Sequence, residues 1–295
     1  MTIKFKCWQT LNIEASSHLL KRNGRSFIWR SKRQLRVKRM ESRELAFSRA
    51  EKLMDQYFGF GGSFPINMKM LASIAGISVQ EKFMQNDQSG KLIIQGGKLV
   101  AFVNIFDSPQ RQNFTIAHEI AHTLMDEFDH IQYRKKAGVH NELEMLCDEI
   151  ASELLIPANE FEKQLEKHGE NAASFKPLAK YFHASLEAIA VKFANCAQNQ
   201  DRVILMITDF HGTNRKDLAI ASAIPLKNWD IFIPRGLSIG RESALIDSFY
   251  QNKPIEKRMT LNLGIIKGDY LIETLPSKFQ QSGKLYNKGY ILITK

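Results

Sequence analysis

Cysteine is scarce in this chain. Cys7, Cys147 and Cys196 are the only three in 295 residues, odd in number and widely spaced. That excludes a disulfide scaffold and points to a reducing compartment, so we expect a cytoplasmic protein. Long apolar runs are absent too. None reaches the ~18 residues that a membrane-spanning helix needs, so no membrane is expected among the partners. Acids are missing from one region only. Residues 1–40 hold eleven Lys/Arg and a single acid, Glu14, while the other 255 residues hold 30 basic and 30 acidic side chains. The net charge of +10 therefore sits in an N-terminal arm. Three readings of that arm stay open: a nucleic-acid contact helped by Phe27 and Trp29, an Arg-rich targeting segment, or a stretch outside the natural protein, with Met40 as the start.

What is present is an ordinary apolar content, 44%, in a chain long enough for two cores. Within it lies His118-Glu119-Ile120-Ala121-His122, an H-E-x-x-H motif. On a helix its histidines fall one turn apart on one face, so both imidazoles can reach one metal ion. Glu119 is then placed to act as general base on a water. The helix itself is predicted over Pro109–Met125. Ser108 serves as N-cap and Pro109 stands at the first helical position. Phe114, Ala117, Ile120, Ala121 and Leu124 follow the helical repeat. A catalytic zinc site takes three protein ligands and keeps one position open. A second helix, Glu142–Leu155, carries Leu143, Leu146, Cys147, Ile150, Ala151 and Leu154 at helical spacing and stops at Pro157. Glu144 and Asp148 share one of its faces. We take Glu144 as the third ligand, against Glu142, Glu149 and Glu153. Asp148 is taken as the carboxylate that receives the outer N–H of one histidine, His118. Cys147 reads as a small buried apolar residue. Two His and one Glu suit Zn2+, with Mn2+ as the alternative.

These residues carry a family resemblance. Asn113-Phe-Thr-Ile-Ala-His-Glu-Ile-Ala-His-Thr-Leu124 resembles the core motif of the ImmA/IrrE metallopeptidases, as does Glu144-Met-Leu-Cys-Asp148 running on to Pro157. The E-x-x-x-D pattern is also similar to the gluzincin arrangement. Leu99–Ile105 resembles the family's strand ending in Asn, and Pro65–Ser78 its helix leading to a Gly-Ile turn. Together these cover about Glu41 to Ala197. Where family members often carry a further His, this chain has Asp126. The resemblance implies a zincin-like helical metallopeptidase domain with a small β-sheet, and limited proteolysis of a protein partner. That partner would be a helix-turn-helix transcriptional repressor in stress or mobile-element regulation. Some members carry a GAF-like C-terminal domain, which implies a sensory or docking role here.

The organisation expected is α+β: the arm at 1–40, a peptidase domain at 41–197 and a C-terminal α+β domain at 201–295. Helices are predicted at Glu41–Phe58 and after Pro65 to about Gly76. Strands are predicted at Ile77–Phe83 and within Gly90–Ile105, with glycine turns at 89–90 and 96–97. Residues 174–197 give two amphipathic segments around His183-Ala-Ser185. They resemble a helix-turn-helix, and we read them as helices that complete the peptidase core. From Asp201, β-rich segments at 202–210, 218–224, 230–233, 259–266, 270–274 and 289–294 predict five or six strands, with a helix at 243–250. No glycine-rich phosphate loop is visible among them. The segment 128–141 is expected to form a rim of the cleft, with His130, Tyr133 and His140 as candidate oxyanion donors. The strand Leu99–Ile105 is expected to present an edge to an extended substrate. The competing function class is a non-catalytic, metal-stabilised DNA-binding regulator.

Overall fold

The computed structural model describes residues 25–85, 88–125, 137–209, 218–229, 231–239, 243–263, 266–281 and 284–295, with backbone alone at 25–41, 137–141, 209, 243, 279–281 and 284–287. Its contacts divide into two compact units: 1–160 with 181–185, and 161–180 with 186–295.

In the first unit, α1 spans Arg25–Gly59. It runs sixteen residues further toward the N-terminus than the apolar pattern alone predicts. Its buried stripe is Ala46, Ala50, Leu53, Met54 and Tyr57. The chain leaves this helix through a glycine turn held by Tyr57, whose hydroxyl donates to Ser63 O and accepts from Asn67 N–H, both at 2.9 Å. Asn67 then caps α2, Met68–Ile74, by accepting from Met70 N–H.

Three short strands follow: β1 (Ile77–Lys82), β2 (Gly90–Gln95) and β3 (Lys98–Asn104). Gly96 and Gly97 both have positive φ, 59° and 76°, which suits the two-residue turn joining β2 to β3. The order is β1-β3-β2, with β3 parallel to β1 and antiparallel to β2. This corrects the expectation that Leu99–Ile105 offers a free edge. That strand is the most apolar of the three, burying Val100, Ala101 and Val103, so it takes the centre. The edge beside the motif helix is β2.

Asn104 ends β3 as the organiser of the next turn. Its Nδ2 donates to Gln88 O (3.0 Å), its Oδ1 accepts from Phe106 N–H (3.2 Å), and its carbonyl accepts from Gln112 Nε2 (3.0 Å). The motif helix α3, Pro109–Leu124, starts as predicted, with Ser108 accepting from Arg111 N–H. Arg111 Nε also donates to Ser89 Oγ at 3.2 Å, which ties the entry of β2 to α3. At its other end, Arg49 of α1 donates to Leu124 O at 2.8 Å. The next helix, α4, spans Ala137–Leu155 and buries Cys147, Ile150, Ala151, Leu154 and Leu155. Arg43 of α1 pairs with Glu149 of α4 at 2.5 Å.

Helix α5, Ala158–His168, follows, and its first N–H is capped by the buried Glu153 carboxylate at 2.8 Å. The predicted helix pair is present as α6 (Phe175–Phe182) and α7 (Leu186–Cys196). Between them His183 takes a positive φ of 50°.

The second unit has a five-stranded antiparallel sheet. Its strands are β4 (Arg202–Asp209), β5 (Leu218–Pro225), β6 (Glu256–Asn262), β7 (Lys267–Gln281) and β8 (Lys284–Thr294), in the order β5-β4-β8-β7-β6. Residues 231–233 form no strand. Phe232 is exposed, and Pro234 and Gly236 end the run before a ladder can form. On one face, Val203, Leu205, Ile207, Ile272, Ile291 and Ile293 pack with Leu245 and Phe249 of α8 (Ser243–Gln251). On the other, Tyr290 meets Phe175, with ring centroids 5.9 Å apart, and Phe175 meets Phe193 at 5.1 Å. Glu273 accepts from Ala172 N–H at 2.7 Å, and Arg202 pairs with Glu170 at 3.2 Å. The segments 161–180 and 186–197 thus pack on the C-terminal sheet, and the division of contacts falls near residue 160, ahead of the expected 197–201 boundary.

Candidate active site

The site is built where α3 and α4 cross. The one-turn spacing of His118 and His122 brings their Nε2 atoms to 3.1 Å from each other. Glu144 projects from α4 toward both. Its Oε2 lies 3.1 Å from His118 Nε2 and its Oε1 3.7 Å from His122 Nε2. Among the described residues, these three form the one His/Cys/Asp/Glu group whose ligand atoms all fall close enough, within 4.8 Å, to hold a single ion. Two ligand atoms about 2.0–2.1 Å from a tetrahedral zinc ion stand about 3.3 Å apart, so the observed separations suit such a centre. The donor set, two imidazole nitrogens and a carboxylate, fits a divalent metal. His118, His122 and Glu144 are partly buried, with 18%, 13% and 33% of their side chains exposed.

The outer faces of the rings are also occupied. His118 Nδ1 meets Asp148 Oδ1 at 2.9 Å, the contact expected from the spacing of Glu144 and Asp148 on one face of α4. Burial opposes the charged form of His118, yet Asp148, with the charges of Glu119 and Glu144, holds its pKa above the ordinary 6.5. His122 Nδ1 meets Cys147 Sγ at 3.4 Å. Sequence reasoning missed this contact. Cys147 reads in the sequence as a small buried residue near the proposed site, and its i+3 offset from Glu144 is the signal that could have set its sulfur against one of the rings. Burial pushes the Cys147 thiol up, and the carboxylates of Glu144, Asp148 and Glu119 push it further.

Glu119 is 7% exposed and sits under the start of β2. Burial raises its carboxyl to about 7. The positive field of His118 opposes that rise, Glu144 adds to it, and the Leu92 backbone N–H opposes it. A divalent ion among the ligands would pull the value down again. Gly90 makes the close approach of β2 feasible, because any Cβ there would overlap Thr115 Cγ2 and stand 3.1 Å from Glu119 Oε1.

The remaining acids of α4 are engaged elsewhere. Glu142 is exposed, Glu149 pairs with Arg43, and Glu153 caps α5. Asp126, His130 and Tyr133 lie outside the described residues, as does the side chain of His140.

Comparison with known proteins follows the same lines. Residues 72–194 match the profile of the Peptidase M78 family, described as the IrrE N-terminal-like domain. None of the curated proteins matches the sequence. Among solved structures, a Mycobacterium tuberculosis transcriptional regulator shares the fold, with a TM-score of 0.54 and 15% identity over 85% of this chain and 79% of that one. No helix among the described residues is long and apolar enough to cross a membrane. Residues 72–194, which contain the His-His-Glu cluster, are thus matched as an IrrE-like peptidase domain of the M78 family.

Proposed function

We propose that this protein is a zinc-dependent endopeptidase that cuts one protein partner at a limited site, and that the partner is a helix-turn-helix transcriptional repressor. One observation carries the chemistry: His118, His122 and Glu144 converge from two helices, with the buried Glu119 beside them. A divalent ion held by these three side chains would supply Lewis acidity toward a water and the scissile carbonyl. Glu119 takes the proton of that water and returns it to the leaving amine. Asp148 keeps His118 in the tautomer whose Nε2 faces inward. An extended substrate pairs with the edge of β2, where strand addition gives main-chain recognition beside Glu119. Zinc is preferred over manganese because a cluster of two imidazoles and one carboxylate is a usual catalytic zinc set. The protein acts in the cytoplasm, a reading supported by the free thiols of Cys147 and Cys196. The C-terminal sheet with its covering helix serves as a GAF-like sensory or docking domain.

A repressor as substrate is what the family resemblance suggests, and the fold shared with a transcriptional regulator is in keeping with a regulatory setting. The test pairs wild type with Glu119→Gln, each loaded with Zn2+ and incubated with helix-turn-helix repressors encoded nearby. Wild type yields one or two discrete fragments. Glu119→Gln keeps its metal and loses at least ~10²-fold in rate. Full cleavage by the Gln variant would show that Glu119 is not the base.

A second reading has its own observation. Residues 25–40 carry seven Lys/Arg and no acid, and they are helical within α1. A DNA-binding regulator with a metal-stabilised core would bind duplex DNA with an affinity that falls steeply with salt. A chain starting at Met40 would lose that binding. Equal DNA binding with and without residues 1–39 removes this reading.

A further inference from the structure

The two histidines of the cluster are held differently on their outer sides. His118 meets a carboxylate, Asp148, whose side chain is 58% exposed. His122 meets the thiol of Cys147, which has no exposed surface at all. Both partners come from one turn of α4, the turn that begins with Glu144.

The chemistry of a ligating imidazole gives this contact a direction. A neutral ring that offers its Nε2 lone pair carries its proton on Nδ1. His122 Nε2 is the inward atom, 3.1 Å from His118 Nε2. Its Nδ1–H therefore points at Sγ, and a thiol sulfur is a weak acceptor. The sulfur stands on the far edge of the ring from Nε2, so it is no ligand itself. We propose that Cys147 is the positioning residue of His122: its Sγ accepts the Nδ1–H and fixes the ring so that Nε2 faces Glu144 and His118. This inference rests on the metal-centre reading above.

Charge explains why a thiol stands here rather than a second carboxylate. Glu119, Glu144 and Asp148 already bring three acids to a small volume. A further carboxylate in the fully buried place of Cys147 would be desolvated beside all three. A thiol supplies an acceptor with no charge. The half-exposed side of the cluster can carry the ionised partner, because water screens it.

The experiment uses the full chain as wild type, Cys147→Ala and Cys147→Ser. Zn2+ affinity is measured by competition with a chromophoric chelator. Histidine side-chain 15N NMR reports the tautomer of His122 in the zinc-loaded protein. Thermal unfolding in EDTA reports the fold without metal. We expect His122 of wild type to carry its proton on Nδ1 and bind through Nε2. Cys147→Ala should weaken Zn2+ binding by roughly 10–100-fold. Cys147→Ser, whose hydroxyl accepts the same N–H after a small shift, should bind more tightly than Cys147→Ala. All three should melt alike in EDTA, since a purely structural role would move that midpoint instead. Affinity of Cys147→Ala equal to wild type overturns the inference, as does a His122 ring bound through Nδ1. If Cys147→Ala fails to fold, the wild-type tautomer and the Ser variant decide. A folded wild type that takes up no Zn2+ sinks the metal-centre reading as well. A wild type that binds Zn2+, loses it in His122→Ala and keeps it in Cys147→Ala sinks the Cys147 inference alone.

Discussion

Replacing Gly90 by Ala adds one carbon at the tightest point between β2 and the motif helix. That Cβ would overlap Thr115 Cγ2 and stand 3.1 Å from Glu119 Oε1 and 3.2 Å from Phe102 O. None of these neighbours yields easily. Thr115 is buried, and its Oγ1 donates to Arg111 O at 2.9 Å, so turning its rotamer breaks a bond. Phe102 O belongs to the backbone of the central strand. Gly90 is not among the positive-φ glycines, so the cost is steric rather than conformational. Overpacking of this kind costs roughly 1–3 kcal/mol, and we expect about 2 kcal/mol. Relief requires β2 to move off α3, which shifts Glu119, so the rate of cleavage should fall too. Thr115→Ser removes the clashing methyl and keeps the hydroxyl. The double variant Gly90→Ala/Thr115→Ser should therefore recover at least about half of the loss, a coupling within the usual range of roughly 0.5–3 kcal/mol for residues in contact. The assay is urea unfolding followed by circular dichroism with and without Zn2+, the zinc-sensitive transition being that of the first unit. Strict additivity of the two substitutions, or an unchanged midpoint in Gly90→Ala, would refute the steric argument.

Three further expectations are more local. Arg49→Met removes a charged donor from the C-terminal carbonyl of α3 and should cost about 1–2 kcal/mol, read as a lower urea midpoint. Glu273 is buried, and burial raises its carboxyl above the ordinary 4.5 against the pull of the Ala172 N–H and Arg202. A raised carboxyl makes the folded state bind its proton more tightly than the unfolded chain does. Stability from this group is therefore present below 4.5 and lost as pH rises through the raised folded value. Glu273→Gln keeps an acceptor for Ala172 N–H without ionising, so its stability relative to wild type should grow with pH across that window. A constant difference between pH 4 and 8 would contradict the burial argument. Glu119→Gln should keep wild-type Zn2+ stoichiometry by metal analysis while cleavage is lost.

Local patterns in the sequence were enough to specify the motif helix and its cap. Ser108, Pro109 and the apolar repeat of α3 act within one or two turns, so neighbours in sequence settle the outcome. The placing of Glu144 and Asp148 on one face of α4 was legible for the same reason, since helical spacing puts residues four apart together. Most of the C-terminal strands were legible from their β-branched runs. Tertiary structure decided what depends on distant partners. Which strand is central is a matter of pairing, and β3 took the middle because its apolar side chains need cover that β1 and β2 supply. Residues 161–180 and 186–197 were read as part of the peptidase core, because local spacing shows an apolar face without showing which core it meets. Phe175, Phe193 and Tyr290, with the Glu273 bond to Ala172, put them on the second sheet. The partner of His122 was hidden likewise. A cysteine on a buried stripe looks the same whether it faces a leucine or an imidazole, and only the crossing of α3 and α4 sets its sulfur 3.4 Å from Nδ1. Spacing along one chain fixes what a helix presents, while the meeting of two helices depends on packing that no local window contains.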